Sequence, residues 1–412
     1  MNGISKPWRG CAAKSVEGAY VSQVCPRVSR LTKLLARRGI RAGVLAVNPT
    51  HRELASMALL WPALAAESAS EFASALAREF VGLAVEPDAA IKADEPGWST
   101  QNRVALELAA VRLRDFSSAS EGTTTLICAP FALHGATIVD LASRHSLVEA
   151  LRRSGIHRLF VTDWRSATAE MRFCTIDDYL AALNILIDQL GGTVDLVGLC
   201  QGGWMSLTYA ARFPGKVRKL VLAGAPIDIA AGQSKLSVLA SNTPGSIFNE
   251  LVELGEGRVL GHHALQFWAP HALDRDEISR ILEPVHAASS LAFQRLESRF
   301  RQWYAWTVDL PGSYYLQVVQ QLFKENRLAS GTFVALGQRI DLSRVRCPLF
   351  LLAARDDDVV VPEQIFATQD LVNADCSVRN AIAPCGHLGL FMGRKVLSTI
   401  WTDIADWLVQ SA

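Results

Sequence analysis

The feature that most constrains the fold is a glycine-bracketed cysteine, in the segment GLCQGG at residues 198–203. The apolar run VDLV precedes it, and a helix-prone run beginning at Trp204 follows it. A sharp turn from a strand into a helix needs positions without side chains beside its corner residue, because strand and helix pass each other closely there. Gly198 and Gly202 supply that clearance. The segment therefore predicts a nucleophile elbow with Cys200 at the corner, in the place where serine is usual.

The predicted corner position suits Cys200 as a nucleophile. The positive end of a helix stabilises a thiolate, and the next backbone N–H, that of Gln201, can face a developing oxyanion. The alternative is that Cys200 is a small buried apolar residue in a glycine-rich turn. The strand–turn–helix setting and two downstream partners favour the catalytic interpretation. We therefore expect an enzyme that carries an acyl group on sulfur.

Composition and charge narrow the classes of function. Half of the 412 residues are hydrophobic, and a formal net charge of +1 gives no field that would attract nucleic acid or an anionic membrane. No signal-like segment follows the start, and the longest apolar stretch, near residues 54–66, is too short to span a bilayer. The eight cysteines contain no CxxC pair. We expect a cytoplasmic protein with no metal, no cofactor, no nucleic-acid partner and no integral membrane segment.

The chain divides into two regions of different pattern. Residues 1–120 are predicted to be mainly helical, whereas strands and helices alternate over residues 121–412, which predicts a mostly parallel sheet with helices on both faces. Residues from about 230 to 340 form an irregular helical insertion, expected to lie as a cap over the carboxyl ends of the strands. Its large aromatic side chains either line an apolar acyl channel or form the core of the cap. They are Phe267, Trp268, Phe300, Trp303, Tyr304, Trp306, Tyr314 and Tyr315.

An acid and a histidine follow Cys200 in the order nucleophile, acid, histidine. Three consecutive aspartates follow a predicted strand that ends near residue 353. We choose Asp358 among them because proline follows it four residues later. Asp356 and Asp357 are the runners-up. A later strand delivers His387, which we expect to deprotonate Cys200 while the aspartate orients the imidazole and stabilises its cation.

The loop after the predicted strand at residues 124–128 is expected to complete an oxyanion hole. We predict that the backbone N–H of Phe131 or Ala132 is the second donor, beside that of Gln201. His134, in the same loop, is more often a residue with a local hydrogen bond than a catalytic one. The pair at residues 262–263, both histidines, has no carboxylate or cysteine at ligand spacing, so a metal role is not indicated.

Several segments together resemble the polyhydroxyalkanoate synthases, over roughly residues 120–412. They are APF at 129–131, IVD at 138–140, HSLV at 145–148, VTDWR at 161–165, TIDDY at 175–179 and the cysteine segment itself. The resemblance implies an α/β-hydrolase fold in which Cys200, Asp358 and His387 load a 3-hydroxyacyl group from coenzyme A and pass it to a hydroxyl-terminated chain. The sequence departs from that family at residues 166–167, where Asn-Pro is usual, and at Val359, where an aromatic residue or histidine is usual.

The carboxyl-terminal half also resembles the intracellular polyhydroxyalkanoate depolymerases. The segments that carry this likeness are PGSYYLQ at 311–317 and GHLGLFMG at 386–393. Those depolymerases usually have proline two residues after the cysteine, whereas this chain has Gly202. Both families are implied to form the same acyl-cysteine, and they differ in whether an alcohol or water attacks it.

Three functions follow from these observations. The first is an acyltransferase that takes a 3-hydroxyacyl group from a thioester of coenzyme A or of a carrier protein. The second is hydrolysis of a polyester or thioester by the same residues. The third is a noncatalytic scaffold that binds a polymer granule or a protein partner through the aromatic cap and the helical amino terminus. The sequence leaves open whether the protein forms a homo-oligomer.

Overall fold

The computed structural model describes residues 94–269, 273–282 and 290–410, and residues 1–93 of the region predicted to be mainly helical lie outside these ranges. The described chain is built around one sheet of eight strands. The strands are β1 Arg103–Glu107, β2 Val111–Asp115, β3 Thr124–Cys128, β4 Arg158–Trp164, β5 Val194–Leu199, β6 Val217–Ala223, β7 Leu349–Ala354 and β8 Val378–Ala383. No helix in the described ranges is long and apolar enough to cross a bilayer.

The helices fall into three groups along the chain. Those between sheet strands are α1 Leu147–Arg153, α2 Ile176–Gln189 and α3 Gln201–Arg212. Those between β6 and β7 are α4 Lys235–Asn242, α5 Gly245–Leu254, α6 Gly261–Trp268, α7 Arg275–Leu282, α8 Leu291–Ala305 and α9 Gly312–Gln317. Those after β7 are α10 Pro362–Phe366, α11 Thr368–Leu371, α12 Gly389–Met392, α13 Arg394–Ser398 and α14 Ile400–Val409.

The order of the strands across the sheet is β1-β2-β4-β3-β5-β6-β7-β8. The pairs β1–β2 and β2–β4 are antiparallel. All the other neighbouring strands of the sheet are parallel. Parallel strands joined by helices, with two antiparallel strands at one edge and an insertion before β7, are the α/β-hydrolase fold, as predicted.

The prediction of a mainly helical region up to residue 120 is wrong for β1 and β2, which extend the sheet at its antiparallel edge. In β2 the side chains of Val111, Leu113 and Asp115 are buried, while those of Arg112 and Arg114 are half-buried. This alternation with a period of two is the signature of a strand with one packed face. The sheet therefore begins by residue 103, before the boundary predicted at residue 121.

The central strands β3, β5 and β7 are buried along their whole length because both faces of the sheet are covered. Neighbouring residues of a strand point to opposite faces. Leu126 and Leu351 belong to the core that packs against α2 and α3. Ile127 and Leu352 belong to the core that packs against α1 and α14. The sheet is thus the middle of three layers, and the carboxyl ends of β3, β5, β7 and β8 reach one edge together.

The insertion between β6 and β7 is helical, as predicted, and its large aromatic side chains mostly form packed cores. Phe300, Trp303, Tyr314 and Tyr315 are each at most 5% exposed. The remaining four predicted aromatic residues are partly buried and pack against the same cores. These contacts fit the alternative in which the aromatics are the cap's own core.

Candidate active site

Cys200 lies between the end of β5 and the start of α3, at the corner that the sequence predicts. Its backbone has φ 48° and ψ −117°, a positive φ that non-glycine residues rarely adopt. The N–H of Cys200 donates to the carbonyl oxygen of Ala223 at 2.9 Å, and its own carbonyl oxygen accepts from the N–H of Gly203 at 2.9 Å. The surrounding chain thus holds the strained corner in place from both sides.

Glycines around this corner are required by close backbone contacts. A Cβ atom on Gly202 would lie 2.2 Å from the carbonyl oxygen of Cys128, at the end of β3. One on Gly198 would lie 2.7 Å from the Cα of Gly203, and one on Gly203 would lie 2.3 Å from the Cβ of Ala225. The clearance predicted for Gly198 and Gly202 is therefore needed, and the helix start abuts the end of a neighbouring strand.

His387 follows β8 and points one ring nitrogen at a buried carboxylate. Its Nδ1 lies 2.7 Å from Oδ2 of Asp357, whose side chain is fully buried. The other carboxylate oxygen of Asp357 accepts from the N–H groups of Val359 and Val360, both at 2.9 Å. The turn after β7 thus fixes the carboxylate and presents one oxygen to the imidazole.

The choice of Asp358 as the acid is corrected by this geometry to Asp357, one of the two runners-up. The Asp358 side chain is 56% exposed and pairs with the Nζ of Lys235 at 2.7 Å. Asp356 is also exposed. The distance to the following proline does not determine which aspartate turns inward, because the Asp357 side chain is held by backbone N–H groups of its own turn.

Charges and hydrogen bonds change the proton affinity of His387. Burial alone lowers its pKa, but the negative charges of Asp357 and Cys200 and hydrogen bonds to both residues outweigh burial and raise the pKa well above the usual value. Because Asp357 takes Nδ1, the other ring nitrogen is left to face the thiol. Cys200, His387 and Asp357 therefore form one continuous array.

The predicted oxyanion donors lie on the two segments that meet beside Cys200. Gln201 is the first residue of α3, where a backbone N–H has no acceptor within the helix. Its side-chain oxygen accepts from the indole N–H of Trp204 at 2.5 Å. Phe131 and Ala132 follow β3, the strand whose end touches Gly202. The role of these three N–H groups stays a prediction.

His134 lies in an aromatic environment formed by the cap. Its ring centroid is 4.6 Å from that of Trp303 and 4.8 Å from that of Tyr304. Burial lowers the pKa of His134 to about 4, although a hydrogen bond to the backbone of Trp306 opposes the shift. The Nδ1 atom is buried without a hydrogen-bond partner among the described residues. Burial therefore keeps His134 neutral near neutral pH, and the backbone that it hydrogen-bonds is that of Trp306 in the cap rather than the local partner expected from the sequence.

The buried neutral His134 predicts acid sensitivity. Between pH 6.5 and about 4 the unfolded chain takes up a proton at this residue that the folded protein does not, so stability falls as the pH falls through this range. The loss is on the order of 3 kcal/mol. His134→Phe keeps an aromatic ring between Trp303 and Tyr304 and should remove this loss, as measured by urea unfolding across the pH range. An equal slope in both proteins would contradict the assignment.

The two histidines at residues 262–263 lie in α6 with ring centroids 4.1 Å apart. Within the ranges that the structure describes, no group of three or more histidine, cysteine, aspartate or glutamate side chains is placed to hold a metal ion.

Sequence reasoning missed several residues that support the site. Thr162 and Trp164 of β4 hydrogen-bond the start of the loop after β3, and Tyr179 of α2 packs beneath that loop. Trp164 and Tyr179 lie in two of the segments that carry the family resemblance. Their place in those segments was the available signal, but the spacing of residues in one chain does not show what each residue contacts.

Comparison with known proteins gives relatives that are named as polymerase subunits. The "Poly(3-hydroxyalkanoate) polymerase subunit PhaC" of Synechocystis sp. is 28% identical over 288 residues, which cover 66% of this chain and 74% of the relative. The protein of the same name from Haloferax mediterranei is 27% identical over 290 residues, and the match spans only 56% of its length. These relatives confirm the predicted resemblance to polyhydroxyalkanoate synthases.

A solved structure also matches. It is an α/β-hydrolase fold protein from Chitinophaga pinensis, 13% identical, with a TM-score of 0.46 over 77% of this chain and 100% of that chain. The family model described as "Protein of unknown function (DUF3141)" matches residues 125–408. With most of the sheet, the cysteine elbow and His387 inside that match, the chain belongs to this family.

Proposed function

We propose that the protein is a cysteine-dependent acyltransferase of the polyhydroxyalkanoate synthase type. It transfers a 3-hydroxyacyl group from a thioester, through an acyl-Cys200 intermediate, to a hydroxyl acceptor. The observation that carries the proposal is the array of a cysteine in a strained elbow, a histidine and a buried aspartate, with Nδ1 of His387 2.7 Å from Asp357. Relatives named as poly(3-hydroxyalkanoate) polymerase subunits supply the substrate class.

In the first half-reaction the acyl group moves from one sulfur to another. The imidazolium of His387 holds the proton of the Cys200 thiol, and the thiolate sulfur attacks the thioester carbonyl carbon. The N–H of Gln201 and that of Phe131 or Ala132 donate to the oxyanion of the tetrahedral intermediate. The intermediate collapses by breaking the bond to the donor sulfur, which leaves as a thiol with the proton from His387.

In the second half-reaction an alcohol takes the acyl group. His387 accepts the proton of the acceptor hydroxyl, whose oxygen attacks the acyl carbon on Cys200. The carbon–sulfur bond breaks, and an ester and the free Cys200 thiol remain. Because a thioester is less stable than an ester, this step is favourable. Asp357 keeps the imidazole in the tautomer that both steps need.

Hydrolysis is the second candidate, favoured by the likeness of residues 311–317 and 386–393 to intracellular depolymerases. The same acyl-Cys200 would then be attacked by water, and a free 3-hydroxy acid would leave. We propose that the protein works in the cytoplasm, at the surface of a polymer granule, in either case.

One experiment separates the two reactions. The protein is incubated with 3-hydroxybutyryl-coenzyme A, free thiol is measured, and the products are divided into pelletable polyester and free 3-hydroxybutyrate. Transfer predicts thiol release matched by polyester, or by an ester when a short hydroxyl-terminated oligomer is added. Release matched by free acid alone would assign hydrolysis. Absence of thiol release at high protein concentration would contradict transfer from coenzyme A and hydrolysis of the thioester, whereas free acid released from an added polyester would then assign depolymerisation.

A further inference from the structure

We propose that the cap positions the oxyanion donors, and that Trp306 is a positioning residue for acyl attack. Two segments carry the inference: the oxyanion loop, residues 129–135, and the cap strap, residues 303–308. The cap strap contacts the carboxyl-terminal end of the oxyanion loop and keeps it in place. The N–H groups of Phe131 and Ala132 are thereby held where the oxyanion forms. This inference rests on the proposed function, because an oxyanion hole matters only in acyl transfer.

Hydrogen bonds to the sheet hold the amino-terminal end of the oxyanion loop in place. The N–H of Ala129 donates to Oγ1 of Thr162 at 3.0 Å, and the indole N–H of Trp164 donates to the carbonyl oxygen of Ala129 at 2.9 Å. Both partners belong to β4, and Ala129 is fully buried. The loop therefore leaves the sheet from a fixed point.

The middle of the oxyanion loop is held by packing of the Phe131 ring, which is 1% exposed. This ring stacks on that of Tyr179 with centroids 4.5 Å apart, and it contacts that of Tyr314 at 5.1 Å. Tyr179 belongs to α2, whereas Tyr314 belongs to α9 of the cap. The side chain of a predicted oxyanion donor is thus held jointly by the core and the cap.

The far end of the loop pairs with the cap strap. The N–H of Val308 donates to the carbonyl oxygen of Leu133 at 3.0 Å, and His134 forms an antiparallel bridge with Thr307. His134 also hydrogen-bonds the backbone of Trp306. The loop therefore continues into a short two-stranded contact whose partner strand belongs entirely to the cap.

Gly135 closes the loop against the ring of Trp306. A Cβ atom on Gly135 would lie 2.2 Å from Cζ3 and 3.0 Å from Cε3 of that ring. The indole N–H of Trp303 points at the carbonyl oxygen of Gly135 at 3.4 Å. Only a residue without a side chain lets the loop lie this close to the cap strap. Any larger residue must push the loop or the ring away.

The contacts that hold His387 and Asp357 are separate from those that hold the oxyanion loop. Asp357 is held by the N–H groups of Val359 and Val360. The ring of His387 contacts Asp357 and the ring of Phe391, at a centroid distance of 5.3 Å. None of these contacts involves the oxyanion loop or the cap strap. Thiol activation and oxyanion stabilisation therefore depend on different contacts and can be measured apart.

The test uses Gly135→Ala and two rates. Alkylation of Cys200 by iodoacetamide displaces iodide at a saturated carbon, so it reports the thiol and His387 but needs no oxyanion hole. Thiol release from 3-hydroxybutyryl-coenzyme A and cleavage of p-nitrophenyl acetate both pass through an oxyanion. We expect Gly135→Ala to slow both acyl reactions by about 10-fold or more, since losing one oxyanion donor costs about 10²–10³-fold. Alkylation should stay within about twofold.

Two further variants complete the design. Trp306→Leu removes the ring that contacts Gly135 and should slow both acyl reactions as Gly135→Ala does, with alkylation again within about twofold. Gly245→Ala is the matched control, because Gly245 lies in the cap and a Cβ there would touch nothing within 4 Å. Its rates should equal those of the wild type.

The outcomes separate this inference from the proposed function. Loss of alkylation and acyl rates together in Gly135→Ala, or no loss in either, would overturn the positioning role. A wild type that cleaves p-nitrophenyl acetate but releases no coenzyme A would contradict the proposed donor. The ratio of ester cleavage to alkylation in the variants would still decide the positioning role.

Discussion

Replacing Cys200 by alanine is expected to abolish thiol release from 3-hydroxybutyryl-coenzyme A, with a loss of at least about 10³-fold, as for other enzymes that lose their nucleophile. The reason is that no other group at the elbow can carry the acyl chain. Steady-state thiol release measured with a chromogenic disulfide reports the loss. The circular dichroism spectrum and the melting temperature should stay near those of the wild type, because alanine is smaller and keeps the same backbone.

A cysteine control makes this result specific. Cys174 is a half-buried free thiol whose pKa is raised by burial and by the charge of Asp178. Cys174→Ala should release thiol at the wild-type rate. Equal losses in the two variants, or full activity in Cys200→Ala, would exclude Cys200 as the nucleophile.

Asp357→Asn is expected to lower the rate of thiol release by about 10²–10⁴-fold, as removal of an orienting carboxylate does in related arrays. Asparagine preserves the size of the side chain but removes the charge that helps to raise the pKa of His387. Asp358→Asn is the matched control. Its carboxylate is exposed and pairs with Lys235 at the surface, where solvent screens such a pair and it contributes little to stability. We expect its rate to change by less than about twofold.

The same pair of variants predicts a shift in pH dependence. With the Asp357 charge present, His387 keeps its proton to higher pH than an ordinary histidine, so the imidazolium faces the sulfur through neutral pH. Asp357→Asn lowers the pKa of His387. Alkylation of Cys200 by iodoacetamide should therefore fall more at pH 6–7 than at pH 9, which moves the profile to higher pH. An unchanged profile, or a shift in Asp358→Asn instead, would return the orienting role to Asp358.

The elbow and the central sheet could be predicted from the sequence because their determinants are local. Gly198 and Gly202 flank Cys200 within one turn of chain, and the apolar runs around them end at residues that the structure confirms. The antiparallel strands β1 and β2 were missed although β2 alternates in a readable way. Its alternation is short, and the preceding region is rich in alanine and leucine.

The choice among three consecutive aspartates could not be made from local pattern. A change of one residue along a turn moves a side chain from the interior to the surface, and Asp357 faces inward because Val359 and Val360 donate to it. The contact between Gly135 and Trp306 was equally hidden. It joins residues far apart in the chain, and neither residue type signals the other.

The most direct test of the account is the mass of the intact protein after brief mixing with 3-hydroxybutyryl-coenzyme A and quenching in acid. The account predicts a species heavier by one 3-hydroxybutyryl group, which proteolysis maps to the peptide that contains Cys200. Asp357→Asn should form this species far more slowly, and Cys200→Ala should not form it. Thiol release without any adduct on Cys200, or an adduct on another residue that persists in Cys200→Ala, would contradict acyl transfer through Cys200.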